Sequence, residues 1–543
     1  MAPSVSFRRA SGLAILGLVL ATAIALAVTG SAFAADSPQS IRPQIISGAI
    51  PVESAPLSRE FAAWRIESLS PLSTLQVGQV TGASGQRPVG RVPSPLSLRL
   101  NAAGVGAQAA LPASYDLRPN RVTAVRDQGE ENTCWTHAAY GSLESYLRPG
   151  ESADFSEAHM VLASGFGPAG QTTKQLYDNG GGFEWGAAYL ARWAGPVNQG
   201  EQPYGSTNNL VPGLTAKKHV QDVTWLPQRT PPTDVAADTA IKTAVQTTGG
   251  VAVSMYMDEV TYFNDASDAY YYNGSGDINH DVVIVGWNDT YSKTNFLAGK
   301  QPAGNGAWIA RNSWGTSFGD SGYFYVSYYD TRFAQQTVNM AFDNADATTN
   351  YGSVLQYDTL GQTGQIGGST TGWFMNKFPV ASASILKAVG FYAMGPGTTY
   401  EVYAGVDGST LPLVATGTFT NAGYHTVVLP NWVGVSAASK LDVAVKVTTP
   451  GESNPIAVEQ RITNWSDQAV ASAGQGYYSL NGTSWSDLTA LSGHSNSSVC
   501  LKAFVNPGYT LTYSAGTGGS IVGTATQVGS AAVERYSARD ARV

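Results

Sequence analysis

The stretch Asp127-Gln128-Gly129-Glu130-Glu131-Asn132-Thr133-Cys134-Trp135 decides how the chain is read. Cys134 opens a run in which Ala138, Leu143 and Leu147 share one apolar face, and Asn132-Thr133 stand where a helix would start. The spacing predicts a helix over 134–147 with Cys134 in its first turn. A thiolate there gains from the helix N-terminus and from a neighbouring imidazolium, which lower its pKa and make it nucleophilic at neutral pH. Gln128, in the glycine-containing loop before it, can donate its amide N–H to an oxyanion beside the backbone N–H of Cys134.

A nucleophilic thiol needs a base and a group that orients the base. Of the six histidines, His280 has the most suggestive context, because it begins the apolar run 281–287 and a strand end would fix its ring. Asn312 closes another apolar run, 306–311, and can hold the imidazole through its side chain. His137 lies three residues past Cys134 on a neighbouring helix face, and His159, in a helix-start block, reads as structural. The only other cysteine, Cys500, sits on an alternating strand and reads as buried and inert. Two cysteines build neither a disulfide framework nor a multi-thiolate zinc site.

The chain has 543 residues, too many for one compact unit at ~100–200 residues per domain. Only 13% of residues are charged, while glycine (60) and aromatics (10%) are plentiful. That mixture favours strand-rich domains with many turns over coiled coils or charged disorder. A net charge of −8 leaves no basic footprint for nucleic acid or an anionic membrane.

Residues 1–34 carry Arg8-Arg9, an apolar run over 13–28 and Ala32-Phe33-Ala34, the pattern of a secretory signal peptide cut after Ala34. The run is shorter than the ~20 apolar residues that span a bilayer, and no second one follows. The mature chain is therefore expected to be secreted or held at the cell surface, with no membrane span. Residues 35–110 are rich in Pro, Ser, Gly and Ala and cannot bury a core of their own; they read as a linker or a pro-region.

From residue 111, helical patterns (134–147, 183–193) precede strand-like runs (250–255, 281–287, 306–311, 323–328), the texture of an α+β domain reaching about residue 345. From about 350, short alternating segments recur (386–392, 399–403, 424–429, 441–447, 499–505), which predicts an antiparallel β-sandwich over 350–505. Asp358, Asp407, Asp442 and Asp467 read as solvated turns, since no loop has dense calcium-ligand spacing. Residues 506–543 begin with one hairpin, 509–522, too small to stand alone.

The dispersed blocks resemble those of papain-like cysteine peptidases. Asp127 to Trp135 looks like their nucleophile segment, and Asn279-His280-Asp281-Val282-Val283-Ile284-Val285-Gly286-Trp287 like their histidine strand. Arg311-Asn312-Ser313-Trp314-Gly315-Thr316 is similar to their Asn-Ser-Trp-Gly block, and Gly319-Asp320-Ser321-Gly322-Tyr323 to the glycine-rich turn after it. Four blocks in the right order are specific, where any one alone is weak.

The resemblance implies an α+β, two-lobed papain-like domain over 111–345, with Cys134 as nucleophile, His280 as general base then acid, Asn312 as orienting group and Gln128 as oxyanion donor. It also implies that Trp314 shields the His280–Asn312 hydrogen bond. Gly181 and Gly182 would pair with an extended substrate, an antiparallel approach that only a residue without Cβ permits. The chain departs from the usual Gly-Ser-Cys-Trp-Ala-Phe with Asn132-Thr133-Cys134-Trp135-Thr136-His137, and lacks the disulfide-forming cysteines of many relatives. Asn312 lies farther from Cys134 than the usual spacing, an excess that an inserted hairpin loop over 288–305 would absorb.

By the same likeness, residues 35–110 resemble the pro-region of bacterial members, which covers the cleft and is removed on activation. Residues 350–505 resemble the lectin-like β-sandwich joined to them, a label of shape that does not establish sugar binding. Residues 506–543 look like the start of a bacterial surface repeat.

Two classes of function follow. The first is a secreted cysteine endopeptidase, made as a zymogen, that cleaves protein or peptide substrates through an acyl-enzyme, with the sandwich binding a cell-surface or glycan ligand. The alternative is an inactive surface adhesin that uses the peptidase fold as a scaffold. A degenerate enzyme is expected to lose Cys, His, Asn or Gln, and all four are kept, so the enzyme leads. No cofactor or metal is implied, because a thiol needs none.

Overall fold

A computed structural model describes residues 39–68, 79–82, 85–100, 110–230, 234–336, 338–512, 514 and 526–529. The signal-peptide reading of residues 1–34 lies outside them. The helix expected at the thiol runs Cys134–Leu147 and is buried along most of its length. It packs on the strand His280–Asn288 and the helix Phe183–Ala191. The approach to the strand is close: a Cβ at Gly141 would lie 2.9 Å from a methyl of Val283. Phe183–Ala191 ends two residues earlier than its apolar pattern suggested, as Trp193 takes a left-handed backbone (φ 63°).

The helices Cys134–Leu147, Glu157–Ala163 and Phe183–Ala191 form one lobe. Ser156 caps the second of them, its hydroxyl accepting the His159 N–H. The other lobe is a sheet in which Val251–Met255, His280–Asn288, Ala307–Arg311 and Tyr323–Ser327 pair antiparallel in that order. Residues 289–306 join His280–Asn288 to its partner Ala307–Arg311, so the polar stretch near 288–305 is a hairpin connection.

Among the elements with no counterpart in the sequence reading are the strand His219–Leu226 and the helix Val235–Thr247. The strand is buried on both faces except at Asp222, so it lacks the alternation that marks a half-exposed strand. It pairs with Asn339–Asp346 on one side and Ala422–Val435 on the other. One 13-stranded sheet therefore runs from the first domain into the sandwich. The first core also takes in Tyr392, Tyr424, Trp465 and Cys500. The two regions read as separate textures share one buried interface.

The sandwich has its own core, built from Phe374, Phe391, Val443, Val445, Tyr478 and their neighbours. Two aspartates read as solvated turns are buried instead. Asp358 pairs with Lys502 at 2.9 Å with both side chains about 1% exposed, and Asp442 faces Lys377 at 3.5 Å. A lysine partner makes each buried carboxylate tolerable. In the tail, Tyr509–Thr512 pairs with Thr526–Gly529, beyond the expected hairpin end at 522.

The segment after residue 38 borrows structure from both domains. Ser40–Ile41 and Gln44–Ile45 cover the two edges of an eight-stranded sheet of the sandwich, and Glu53–Ser54 covers an edge of a four-stranded one. The helix Arg59–Ser68 buries Phe61 against Trp465. Val89, Val92, Leu96 and Leu98 then enter the core of the first domain. A segment without a core of its own thus completes two others.

Candidate active site

Cys134 lies fully buried in the first turn of its helix, and it is a free thiol, as is Cys500. Burial and the adjacent Asp281 carboxylate push its pKa well above the ordinary thiol value. The backbone N–H groups of Asp281 and Gly90 and the Arg91 guanidinium act the other way without prevailing. This corrects the expectation of a lowered pKa: that expectation took the helix terminus into account but not the closed cleft.

His280 opens the strand His280–Asn288, and Asn312 follows the end of the paired strand Ala307–Arg311. The His280 Nε2–H donates to Asn312 Oδ1 at 2.8 Å. The backbone N–H of Ser313 also donates to that oxygen, at 2.8 Å, which settles which end of the amide faces the ring. With the Nε2 proton held there, a neutral His280 carries its lone pair on Nδ1, which is buried and has no hydrogen-bond partner among the described residues. Burial lowers the His280 pKa to about 4, outweighing the Asn312 bond that favours the imidazolium. Trp314 stacks on the imidazole with ring centroids 4.8 Å apart.

Gln128 is fully buried. Its Oε1 accepts the Ser313 hydroxyl at 2.6 Å, and its backbone N–H donates to the Ser313 carbonyl at 2.8 Å. Nε2 donates to the Glu131 carbonyl at 2.7 Å and makes a longer contact, 3.4 Å, to the Pro88 carbonyl. The Arg126–Glu144 ion pair at 2.7 Å ties the loop before Gln128 to the Cys134 helix. The rival histidine, His137, has its Nδ1 on the Thr133 carbonyl at 3.0 Å, and His159 bonds the Tyr189 hydroxyl.

The groove is filled by the chain's own residues 88–92. Gly181 N–H donates to Gly90 O, and Val92 N–H donates to Gly181 O, both at 2.7 Å. That pattern makes Arg91 a parallel partner of Gly181, the opposite sense to the antiparallel approach expected of a substrate. Arg91 N–H donates to the Asn279 carbonyl, and the Trp314 indole N–H donates to Pro88 O. Gly181 is needed for space, since a Cβ there would meet the Trp135 ring at 2.6 Å, and a Cβ at Gly182 would meet the mobile end of the Arg91 side chain at 2.3 Å.

Comparison with known proteins finds two families along the chain. Residues 111–342 match the papain family cysteine protease family, and residues 354–505 match the lectin like domain family. This chain carries a papain-family domain followed by a lectin-like domain. The papain-family part is 28% identical over 226 residues to a cathepsin L-like peptidase of Aedes aegypti and 29% identical over 227 residues to cathepsin S of Mus musculus. Each match covers 39% of this chain and 58% of the relative, so the chain spans little more than half the length of these relatives.

Among solved structures, the cysteine protease and lectin-like domains of Cwp84, a surface layer associated protein of Clostridium difficile, superpose with a TM-score of 0.69 at 24% identity. That match covers 84% of this chain and 98% of the other. Clostridial Cwp84 after propeptide cleavage gives a TM-score of 0.63 at 25% identity, covering 73% of this chain and 99% of the other. Both papain-family and lectin-like parts are thus found together in one solved fold.

Four residues around the papain-family cleft escaped the sequence reading of roles: Arg91, Glu184, Asp281 and Ser313. Glu184 stands two residues after the glycine pair and Asp281 directly after His280, so adjacency to both blocks was the available signal. Arg91 sits in a stretch whose composition reads as a linker. No helix among the described residues is long and apolar enough to cross a membrane.

Proposed function

We propose that the chain is a secreted cysteine endopeptidase made as a zymogen, whose cleft is plugged by residues 88–92 until the pro-region is removed. The reading rests on one observation above others: His280, oriented by Asn312, leaves a buried Nδ1 unpartnered beside a helix whose first residue is Cys134.

With the plug gone, His280 Nδ1 takes the Cys134 proton and the thiolate adds to a peptide carbonyl. The developing oxyanion accepts hydrogen bonds from Gln128 Nε2 and the Cys134 N–H. His280 then gives its proton to the leaving amine, which departs as the acyl-enzyme forms. A water deprotonated by His280 attacks the thioester, and collapse regenerates the thiol. Asn312 holds the imidazole plane throughout, and Trp314 keeps water from the His280–Asn312 bond. The plug escapes this chemistry because it runs past Gly181 in the reverse sense. The lectin-like domain serves attachment or ligand binding at the cell surface.

The test is labelling with an irreversible epoxide or vinyl-sulfone thiol probe followed by peptide mapping. Wild type and Cys134→Ser are compared before and after removal of residues 35–110. Labelling of Cys134 alone, and only in trimmed protein, supports both enzyme and zymogen. Folded, trimmed protein that takes up no probe points to the adhesin alternative.

A further inference from the structure

Beside Gly181 a buried pocket holds the Arg91 side chain. The guanidinium makes a two-pronged pair with Glu184, Nη1 to Oε2 at 2.9 Å and Nη2 to Oε1 at 3.0 Å. Its Nε faces Asp281 Oδ1 at 3.8 Å, and its Cζ lies over the Phe183 ring, 4.9 Å from the centroid. The three charged side chains are 7% exposed or less. The Ser254 hydroxyl donates to Asp281 Oδ1, and Oδ2 of Asp281 has no hydrogen-bond partner among the described residues.

The pocket is shaped for a planar cation. A Cβ on Gly182 would come within 2.3 Å of both the guanidinium and Glu184, so glycine there clears the space. Two carboxylates face one cation, and both are buried. Burial by itself would push the Glu184 carboxyl up, but the Arg91 pair outweighs it and holds the group below its ordinary value. Burial raises Asp281 to about 7, against the pull of Arg91.

Arg91 belongs to the segment that leaves on activation, whereas Glu184, Asp281 and Phe183 belong to the papain-family domain. Removal of the plug therefore leaves two acidic groups lining the groove without the counter-charge that faces them now, a setting that favours entry of another cation. Gly90 lies at the Cys134 thiol, and Arg91 is its neighbour opposite Gly181. In a substrate, the residue at the thiol is the one whose carbonyl is attacked (P1), and the residue opposite Gly181 is its upstream neighbour (P2).

Resting on the reading of the chain as a peptidase, we infer that the pocket of Phe183, Glu184 and Asp281 selects arginine at P2, so that the substrates are proteins and peptides cut one residue after an arginine. Arg91 is the placeholder for that side chain. Lysine fits less well, because a point charge cannot match the carboxylate fork or stack on the ring.

The test uses the trimmed enzyme and three coumarin amides with a common P1 arginine: benzyloxycarbonyl-Arg-Arg, -citrulline-Arg and -Leu-Arg. Iodoacetamide alkylation of Cys134 reports an intact thiol centre in each preparation. The arginine substrate is expected to exceed the citrulline and leucine ones in kcat/KM by on the order of 100-fold. Glu184→Gln is expected to remove most of that difference.

Equal or better cleavage of the leucine substrate by wild type would overturn the assignment while leaving the peptidase reading intact. Where no substrate is turned over, the peptidase reading fails first. The pocket is then read by calorimetry of trimmed Cys134→Ser with the same arginine and citrulline dipeptides as free acids, and equal affinities for the two overturn it. Should Glu184→Gln fail to fold, the exchange Arg91→Glu with Glu184→Arg keeps opposite charges in place during folding. After trimming, that protein is expected to lose the arginine preference, and retention of it counts against the pocket.

Discussion

The Ser313 hydroxyl donates to Gln128 Oε1 at 2.6 Å, joining two loops 185 residues apart in the chain. Through this bond the residue after Asn312 orients the amide whose Nε2 would receive an oxyanion. Ser313→Ala leaves a fully buried acceptor unpaired, which costs about 1–3 kcal/mol, and frees the Gln128 side chain to turn. In trimmed protein we expect kcat/KM to fall on the order of 10-fold for Ser313→Ala and on the order of 100-fold or more for Gln128→Ala. A loss of melting temperature with unchanged kcat in Ser313→Ala would limit the contact to holding the fold.

Alkylation of Cys134 should report the state of the cleft through its pH profile. In the untrimmed chain burial raises the thiol pKa and lowers that of His280 to about 4, so above that pH neither group carries charge in the ordinary range. Iodoacetamide uptake is then slow at pH 6 and climbs only in strong alkali. Once the plug leaves, water and the exposed helix terminus favour the thiolate–imidazolium pair, and the rate at pH 6 is expected to rise on the order of 100-fold. An NMR titration of the His280 ring gives the same comparison: neutral down to about pH 4 before trimming, protonated at higher pH after it.

Gly90 fits closely against the Cys134 loop. A Cβ there would lie 2.3 Å from the Asn132 carbonyl oxygen, and backbone cannot yield as a flexible side chain does. Gly90→Ala should therefore lift residues 88–92 from the groove and let the untrimmed chain take up the thiol probe. Unchanged resistance to the probe, with normal folding, would place the inhibitory grip elsewhere in the segment.

The buried Lys502–Asp358 pair should behave as an anchor of the sandwich. Removing the cation alone, in Lys502→Met, leaves Asp358 buried without its partner and is expected to cost about 3–5 kcal/mol. Urea unfolding followed by tryptophan fluorescence measures it. The double replacement Lys502→Met with Asp358→Leu should recover most of that loss.

Much of the papain-family part was legible because its signals are local. The helix at Cys134 follows from apolar spacing, the strands at 281–287 and 306–311 from short apolar runs, and the sandwich from alternation. His219–Leu226 was not legible, since a strand buried on both faces shows no alternation to read. Asp358 and Asp442 misled for a related reason: an aspartate in a window without dense ligand spacing reads as a solvated turn until its lysine partner, 144 residues away in the case of Asp358, is in place.

What the sequence determined by itself is the set of chemical groups and their local frames: a thiol at a helix start, an imidazole at a strand end, and glycines before Phe183. Periodicity and turn chemistry act over a few residues and are written in any short window. The tertiary structure alone decided which groups meet and what charge they carry. It set the Nε2–H tautomer of His280 through Asn312, raised the Cys134 pKa by closing the cleft, and put Arg91 between Glu184 and Asp281. Those outcomes depend on desolvation and on contacts between distant segments, which exist only once the chain has closed on itself.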